Sequence, residues 1–301
     1  MNIVIFGAGA IGSLFGALLS KKNKVILIGR KPHVKAICRN GLTIDGKTKL
    51  NVKVAAADSV DKVDTHVDLL ILTVKSYDTE TSIKQATSII SENTVVISIQ
   101  NGLGNIDGIK KFVNRGNIIA GVTTHGVFFS KPGVIKHTGK GTTILGELNG
   151  SKTKRIDNIV NIFNRAGIKT FVSEDILKEI WIKAIVNSCI NPLTTFFQCN
   201  NGYLLENHVL EKFLEKICEE STSIANAYGI DLASSSMIQK TKEVVKDTYE
   251  NHSSMLQSIL QGKKTEIESI NGRIVEVGRK HNAKTLMNEI LVYSIKSMCE
   301  D

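Results

Sequence analysis

The chain has 301 residues, of which 42% are hydrophobic, so it can bury two ordinary cores and two domains are expected. Its formal charge of +9 favours anionic partners, but its Lys and Arg residues form no dense run interleaved with aromatic residues, so nucleic acid is not an expected partner. Five cysteines without a CxxC pair and seven histidines without an HExxH spacing predict no disulfide framework and no metal site, in a reducing, cytoplasmic compartment.

The start of the chain is apolar and could be mistaken for a targeting segment. Residues 1–20 carry no charged side chain, but four glycines interrupt the apolar run and no basic region precedes it. A signal peptide or a membrane span is therefore not expected.

The first 150 residues alternate short β-branched apolar runs with segments of helical period. This pattern predicts a parallel sheet with helices on both faces. The predicted strands cover residues 2–7, 24–29, 67–74, 94–100 and 118–123, and a helix is predicted over residues 11–20. The glycine-rich stretch 139–150 predicts a hairpin or a closing strand of the same sheet.

Residues 7–12 read GAGAIG, directly after the first predicted strand and before the first helix. In this context GxGxxG binds a dinucleotide: Gly7 permits the tight turn, Gly9 lets backbone approach the pyrophosphate, and Gly12 lets helix and strand pack closely. Free N–H groups at the helix N-terminus face the phosphates. A glycine-bearing turn in another α/β protein is the alternative, and the flanking strand and helix favour a Rossmann-type dinucleotide-binding domain.

The second predicted strand ends in Gly29-Arg30-Lys31, where NAD-binding proteins usually place Asp or Glu on the adenosine ribose. A guanidinium suits a 2′-phosphate, so Arg30 predicts NADPH rather than NADH. The alternative is a solvated charge at a strand end.

Lys75 and Asn101 each follow a buried predicted strand, at residues 67–74 and 94–100. Both positions lie outside carboxyl ends of parallel strands, where ligands bind in open sheets. Either residue could equally be an ordinary cap or turn residue, since Asn-Gly is a common turn pair.

From residue 175 onward the apolar residues recur at helical spacing, with turn signals at 200–202 and 229–231 and no strand pattern. The chain is therefore expected to consist of a dinucleotide-binding domain at residues 1–173 and an all-helical domain at residues 174–301.

One helix of the second domain carries a polar stripe. In KEIWIKAIVNSCINP, residues 178–192, Lys183, Asn187 and Asn191 fall at i, i+4 and i+8, and their neighbours are apolar or small. So apolar a helix is expected to be buried, with the stripe facing a polar cavity that suits a carbonyl-bearing anion. Alternatively, Lys183 reaches the surface and both asparagines form interhelix hydrogen bonds.

Several motifs together resemble the ketopantoate reductases of pantothenate and coenzyme A biosynthesis, over nearly the whole chain. They are GAGAIG, Gly29-Arg30, Lys75, Gln100-Asn101-Gly102, Thr123-Thr124-His125, WIKAIVNSCINPLTTFFQCNNG at 181–202, Ser253 to Gln257, and Thr265-Glu266-Ile267. The block at 181–202 is the most specific. The resemblance implies an NADPH-dependent oxidoreductase that reduces a small 2-oxo acid.

The resemblance also implies roles for individual residues. Lys183 is expected to be the general acid, and Glu266 the catalytic acidic residue that closes over cofactor and substrate. The implied substrate-binding residues are Lys183, Asn187, Asn191, Asn201, Asn251 and Ser254. The implied NADP(H)-binding residues are Gly7, Ala8, Gly9, Ala10, Ile11, Gly12, Arg30, Lys75, Asn101, Gly126 and Glu266.

Three other functions remain open at this point. The first is an enzyme of the same fold that acts on another 2-oxo acid or oxidises a D-2-hydroxy acid. The second, a protein that senses NADPH without turning it over, would not need Lys183, Asn187 and Glu266 together. The third, nucleic-acid binding, rests on net charge alone. A homodimer also stays open.

Overall fold

The computed structural model describes residues 1–298, which form two compact units. The first unit comprises Met1–Gln100 and Asn105–Glu179, and the second comprises Asn101–Gly104 and the chain from Ile180 onward. Cys299, one of the five cysteines, lies outside the described residues, and the other four are free thiols.

All described strands precede residue 173. They are β1 (Asn2–Phe6), β2 (Lys24–Ile28), β3 (Leu42–Gly46), β4 (Leu50–Val52), β5 (Ala55–Ala57), β6 (Leu69–Leu72), β7 (Val95–Ser98), β8 (Ile118–Thr123), β9 (Gly126–Lys131), β10 (Val134–Gly139), β11 (Thr143–Glu147) and β12 (Thr170–Val172). The accompanying helices are α1 (Ala10–Leu19), α2 (Lys31–Asn40), α3 (Thr79–Ala86), α4 (Asn105–Lys110) and α5 (Lys154–Arg165), with 3-10 turns at Val60–Lys62, Ser76–Asp78, Thr87–Ile89 and Arg115–Asn117.

The main sheet has eight strands in the order β5-β2-β1-β6-β7-β8-β11-β12. Neighbours from β5 to β8 are parallel, and β11 pairs antiparallel with β8, which confirms the predicted closing strand. The strand order reverses at β1, because β2 lies on one side of it and β6 on the other. At such a switch point the carboxyl ends of the strands leave a crevice that binds ligands.

Both faces of the main sheet are buried. In β1, Ile3 and Ile5 belong to one apolar core, and Val4 and Phe6 belong to the core on the opposite face. Successive residues of a strand point to opposite faces, so a strand covered on both sides must be apolar throughout. This requirement explains the continuous apolar runs from which the strands were predicted.

A second sheet of four strands, in the order β4-β3-β10-β9, was not predicted. Its apolar residues, such as Leu42, Ile44 and Ile135, pack in the same core as Ile3, whereas Asp45 and Lys136 are exposed. Strands with one solvent-exposed face show only a short alternation of apolar and polar residues, and here glycine and charged residues interrupt that alternation.

All regular secondary structure in the described residues of the second unit is helical, which confirms the predicted fold class. Its helices are α6 (Ile176–Phe196, within this unit from Ile180), α7 (Tyr203–Glu206), α8 (His208–Ala227), α9 (Ser234–Asp247), α10 (Ser254–Leu260), a π-helix (Glu268–Gly272), α11 (Arg273–Lys280) and α12 (Leu286–Ser297). The core of the unit contains Ile185, Leu214, Ile217 and Ile274, which are fully buried.

Candidate active site

The glycine turn, residues 7–12, leads from β1 into α1. Gly7 has φ +113°, and its N–H and that of Ala8 donate to the Ile28 carbonyl at the end of β2, at 3.0 and 2.8 Å. A Cβ on Gly7 would lie 2.5 Å from the backbone nitrogen of Val74, and one on Gly12 would overlap the Gly7 carbonyl. The turn therefore requires glycine at both positions.

Gly9 is different, because its side-chain direction is open. A Cβ there would meet only the Gly7 carbonyl, at 3.9 Å. Gly9 is also the N-cap of α1, and no described side chain caps this end of the helix. The first turn of α1 begins with Ala10 and Ile11, and its free N–H groups can bind the pyrophosphate of a dinucleotide. The open space over Gly9 leaves room for that group.

Arg30 lies just beyond β2, two residues after the Ile28 carbonyl that holds the glycine turn. Its backbone begins α2, with its carbonyl accepting from the His33 and Val34 N–H groups, and its side chain is exposed. A guanidinium here can contact a phosphate on the adenosine ribose.

A network of polar side chains fixes the ends of β6 and β7. The Gln100 amide donates to the Val74 carbonyl at 3.0 Å and to the Thr79 hydroxyl at 2.8 Å, and its oxygen accepts from Ser98. Lys75 follows Val74 directly and is half-buried. The network thus holds the backbone from which Lys75 projects, a role for Gln100 that strand prediction alone did not indicate.

Gly126, another residue assigned to the cofactor, is the first residue of β9. A Cβ on it would lie 2.8 Å from the Thr138 hydroxyl of β10. The neighbouring His125 belongs to a chain of hydrogen bonds. Its Nδ1 lies 3.1 Å from Nε2 of His137, and Nδ1 of His137 lies 2.9 Å from the Thr48 hydroxyl. Burial, followed by the charge of His137, lowers the pKa of His125 to about 4.

The polar stripe on α6 belongs to the second unit. Asn191 is 5% exposed, whereas Lys183 and Asn187 are half-buried and flanked by the buried residues Ala184 and Ile185. From Lys183 to Thr195, all residues except Lys183 and Asn187 are buried, and these two lie on the predicted stripe.

The remaining residues predicted to bind substrate lie near the C-terminal end of α6. The Asn201 N–H donates to the Asn251 carbonyl at 2.9 Å, and its side-chain amide donates to the Thr248 hydroxyl at 2.8 Å. The buried side-chain oxygen of Asn201 has no hydrogen-bond partner among the described residues. An unpaired buried acceptor is costly, which makes this oxygen suitable for a substrate donor.

Ser253 and Ser254 differ in their surroundings. Ser253 is buried, and its hydroxyl caps α10 by accepting from the Leu256 N–H. Ser254, the predicted substrate residue, is exposed at the first position of the same helix. Ser253 is therefore occupied by the fold, and Ser254 is the hydroxyl available to a ligand.

Glu266 is 6% exposed and immediately precedes the π-helix. Its backbone carbonyl accepts from the Ser269 and Ile270 N–H groups, both at 3.1 Å. The Ser269 carbonyl accepts from Leu103 at 2.8 Å, so the segment Asn101–Gly104 packs next to the π-helix. Asn101 and Glu266 are thereby held by neighbouring parts of one unit.

Comparison with known proteins identifies the family of the chain. Residues 3–150 match the family model described as ketopantoate reductase PanE/ApbA, and residues 175–298 match the model of its C-terminal domain. A 2-dehydropantoate 2-reductase from Pyrococcus abyssi is 45% identical over 98% of this chain and 97% of its own length. The chain belongs to the ketopantoate reductase family. It is therefore an oxidoreductase.

Other relatives are similar over the same extent. The 2-dehydropantoate 2-reductase of Archaeoglobus fulgidus is 32% identical over 99% of this chain and 97% of its own. A D-mandelate dehydrogenase solved with NADH and anilino(oxo)acetate has 29% identity and a TM-score of 0.94, covering 99% of this chain and 98% of that one. A ketopantoate reductase family structure from Ralstonia eutropha has 28% identity and a TM-score of 0.91, with the same coverage.

Residues 1–298 also bear on two other kinds of site. Within this range no helix is both long and apolar enough to cross a membrane. Nor do these residues contain a group of three or more His, Cys, Asp or Glu side chains that could hold a metal ion.

Proposed function

We propose that the chain reduces 2-dehydropantoate to pantoate with NADPH. The observation that carries the proposal is the stripe of Lys183, Asn187 and Asn191 on α6, in a unit that also holds Glu266 and Asn101. The names of the Pyrococcus and Archaeoglobus relatives support the substrate. The reaction belongs to pantothenate and coenzyme A biosynthesis and takes place in the cytoplasm.

The chemistry divides between cofactor and protein. Bound NADPH supplies a hydride for the 2-oxo carbon. The Lys183 ammonium polarises the carbonyl oxygen and donates its proton to it, so that the product carries a hydroxyl and the lysine regains a proton from solvent. Asn187 and Asn191 lie one and two helical turns further along the same stripe and orient the substrate through their amides.

The other site residues complete the substrate and cofactor contacts. Asn251 and Ser254 bind the carboxylate and hydroxyl of the substrate, and Asn201 offers its unpaired oxygen to a substrate donor. Glu266 covers both ligands. Residues 1–173 act as the NADP-binding domain and residues 174–301 as the substrate-binding domain.

The cofactor preference rests on Arg30 and the glycine turn. An exposed guanidinium two residues beyond Ile28 offers charge-assisted hydrogen bonds to a 2′-phosphate. Lys75, Gly126 and Asn101 complete the cofactor contacts.

A second candidate is oxidation or reduction of another 2-hydroxy or 2-oxo acid with NADH. The likeness to D-mandelate dehydrogenase, at TM-score 0.94, favours it. Arg30 argues for NADPH, and the identity of up to 45% to relatives named 2-dehydropantoate 2-reductase argues for ketopantoate.

A substrate panel separates the two candidates. The purified chain is assayed by loss of reduced-cofactor absorbance with ketopantoate, 2-oxoisovalerate, oxaloacetate and phenylglyoxylate, each with NADPH and with NADH. The proposal predicts the highest kcat/KM for ketopantoate with NADPH. A higher value for phenylglyoxylate with NADH would establish the second candidate instead.

A further inference from the structure

Pro192 removes the usual backbone donor of one carbonyl inside α6. In an α-helix the N–H of residue i donates to the carbonyl of residue i−4, and proline has no N–H. The carbonyl that loses its partner is that of Ser188, one residue after Asn187. Ser188 is fully buried, so water cannot replace the lost donor.

The side chain of Asn271 supplies the missing donor. Its Nδ2 lies 3.0 Å from the Ser188 carbonyl and 3.0 Å from Oδ1 of Asn288, and Asn271 itself is fully buried. Within residues 1–298 the Asn271 side-chain oxygen has no hydrogen-bond partner. An unsatisfied buried acceptor is unfavourable. The two hydrogen bonds donated by Nδ2 therefore hold the Asn271 side chain in this orientation.

Glu220 fixes which way these amides point. One of its carboxylate oxygens accepts from both the backbone N–H and Nδ2 of Asn288, at 2.9 and 2.8 Å, and the other accepts from the Met287 N–H at 2.9 Å. Asn288 must therefore turn its oxygen toward Asn271. Asn271 in turn must present its NH2 group to Asn288 and to Ser188.

Asn271 lies in the π-helix, next to the other parts of the candidate site. The Gly272 N–H donates to the Ile267 carbonyl at 3.0 Å, the i to i+5 bond that defines this turn, and Glu266 directly precedes it. The Ser269 carbonyl accepts from Leu103 in the Asn101 segment. Such π-turns commonly occur at functional sites.

We propose that Asn271 is a positioning residue that fixes the register of α6 relative to the π-helix. It thereby sets where Lys183 and Asn187 stand with respect to Glu266. The inference rests on the proposed function, because it concerns the same reaction. A shift of about 1 Å at a catalytic group can lower a rate about 100-fold, so one amide can control turnover without touching the substrate.

The test is a double-mutant cycle on Asn271→Ala and Pro192→Ala, with ketopantoate and NADPH. Pro192→Ala restores a backbone N–H to the Ser188 carbonyl and so makes the Asn271 amide dispensable. Asn271→Ala is expected to lower kcat by about tenfold or more in the parent and by less than about threefold in the Pro192→Ala background. KM for ketopantoate is expected to change less than kcat.

The pH dependence of kcat distinguishes positioning from stability alone. Asn271→Ala is expected to move the profile, since the surroundings of Lys183 and Glu266 change, and Pro192→Ala is expected to restore it. All rates are measured well below the Tm of each variant. Asn226→Ala is the matched control: its amide bonds the Leu232 backbone in the same unit, away from the site, and kcat should stay at the parent value.

Three outcomes would overturn the inference. The first is that Asn271→Ala has a lower Tm but keeps the kcat and the pH profile of the parent. The second is that Asn271→Ala lowers kcat equally in the parent and in the Pro192→Ala background. If Asn271→Ala does not fold, Asn271→Ser takes its place in the same cycle, with the same criteria. Lack of turnover by the wild type with every 2-oxo acid is the third outcome, and it alone would also overturn the proposed function.

Discussion

The hydroxyl oxygens of Thr194 and Ser253 lie 2.8 Å apart and join the end of α6 to the start of α10. Both residues are buried, and Ser253 also caps α10. Through this bond the helix with Lys183 and Asn191 is tied to the segment with Asn251 and Ser254.

Thr194→Val should therefore weaken both stability and substrate binding. Loss of the buried bond is expected to lower the free energy of unfolding by about 1–2 kcal/mol and to raise KM for ketopantoate. Thr195→Val is the matched control, because the buried Thr195 hydroxyl donates to the Asn191 carbonyl of its own helix and, in the part of the chain that the structure describes, does not bond α10. Denaturant unfolding and initial rates measure both effects. Equal KM values in the two variants would contradict the role of the bond.

Two glycines of the turn should respond differently to alanine. Gly12→Ala places a methyl group on the Gly7 carbonyl and is expected to destabilise the chain by about 1–3 kcal/mol without any cofactor. The methyl group of Gly9→Ala has its nearest described neighbour, the Gly7 carbonyl, at 3.9 Å, so this variant should lose less than about 1 kcal/mol of stability yet bind NADPH about tenfold or more weakly. Thermal unfolding and NADPH titration, each done for both variants, provide the comparison. Unchanged NADPH affinity in Gly9→Ala would place the pyrophosphate elsewhere.

Arg30→Ala should reduce discrimination between the two cofactors. Charged hydrogen bonds contribute about 1.5–3 kcal/mol, so the Kd for NADPH is expected to rise about 10- to 100-fold, while that for NADH should change less than about twofold. Arg39→Ala, an exposed arginine on α2, controls for the loss of net charge. A parallel loss of affinity for both cofactors would remove Arg30 from 2′-phosphate recognition.

Acid should destabilise the first unit through His125. Its pKa is about 4 in the folded chain against 6.5 for an ordinary histidine, so between these values the unfolded chain binds more protons. The stabilising effect of neutral His125 is complete above about pH 6.5 and is lost as pH falls toward about 4. Tm should fall over this range.

The same measurement on His125→Gln should give a flatter pH dependence. His208→Gln, which changes an exposed histidine on α8, should keep the parent slope. If both variants follow the parent curve, another group is responsible for the acid sensitivity.

Strands that are buried on both faces could be predicted from the sequence, and strands with one solvent-exposed face could not. β8 was predicted at residues 118–123 and is found at Ile118–Thr123, because both of its faces are covered and every residue is buried. β3 and β10 were missed, because residues such as Asp45 and Lys136 face solvent and interrupt the apolar pattern.

The candidate site shows a similar division. Periodicity alone placed Lys183, Asn187 and Asn191 on one stripe, since i, i+4 spacing fixes a helix face. Asn271 could not be found in this way, because its partner is the Ser188 carbonyl, which lies 83 residues away along the chain. That carbonyl lacks its usual donor because residue 192 is a proline. Only tertiary structure brings such a donor to such an acceptor.

The most direct test of the central claim compares Lys183→Ala with Lys178→Ala, a lysine on the same helix but off the stripe. Initial rates of NADPH oxidation with ketopantoate are measured for both, together with the Kd for NADPH. We expect Lys183→Ala to lose most of its kcat, by about 100-fold or more, with NADPH binding retained, and Lys178→Ala to keep the wild-type rate. Wild-type turnover by Lys183→Ala would contradict the assignment of Lys183 as the general acid.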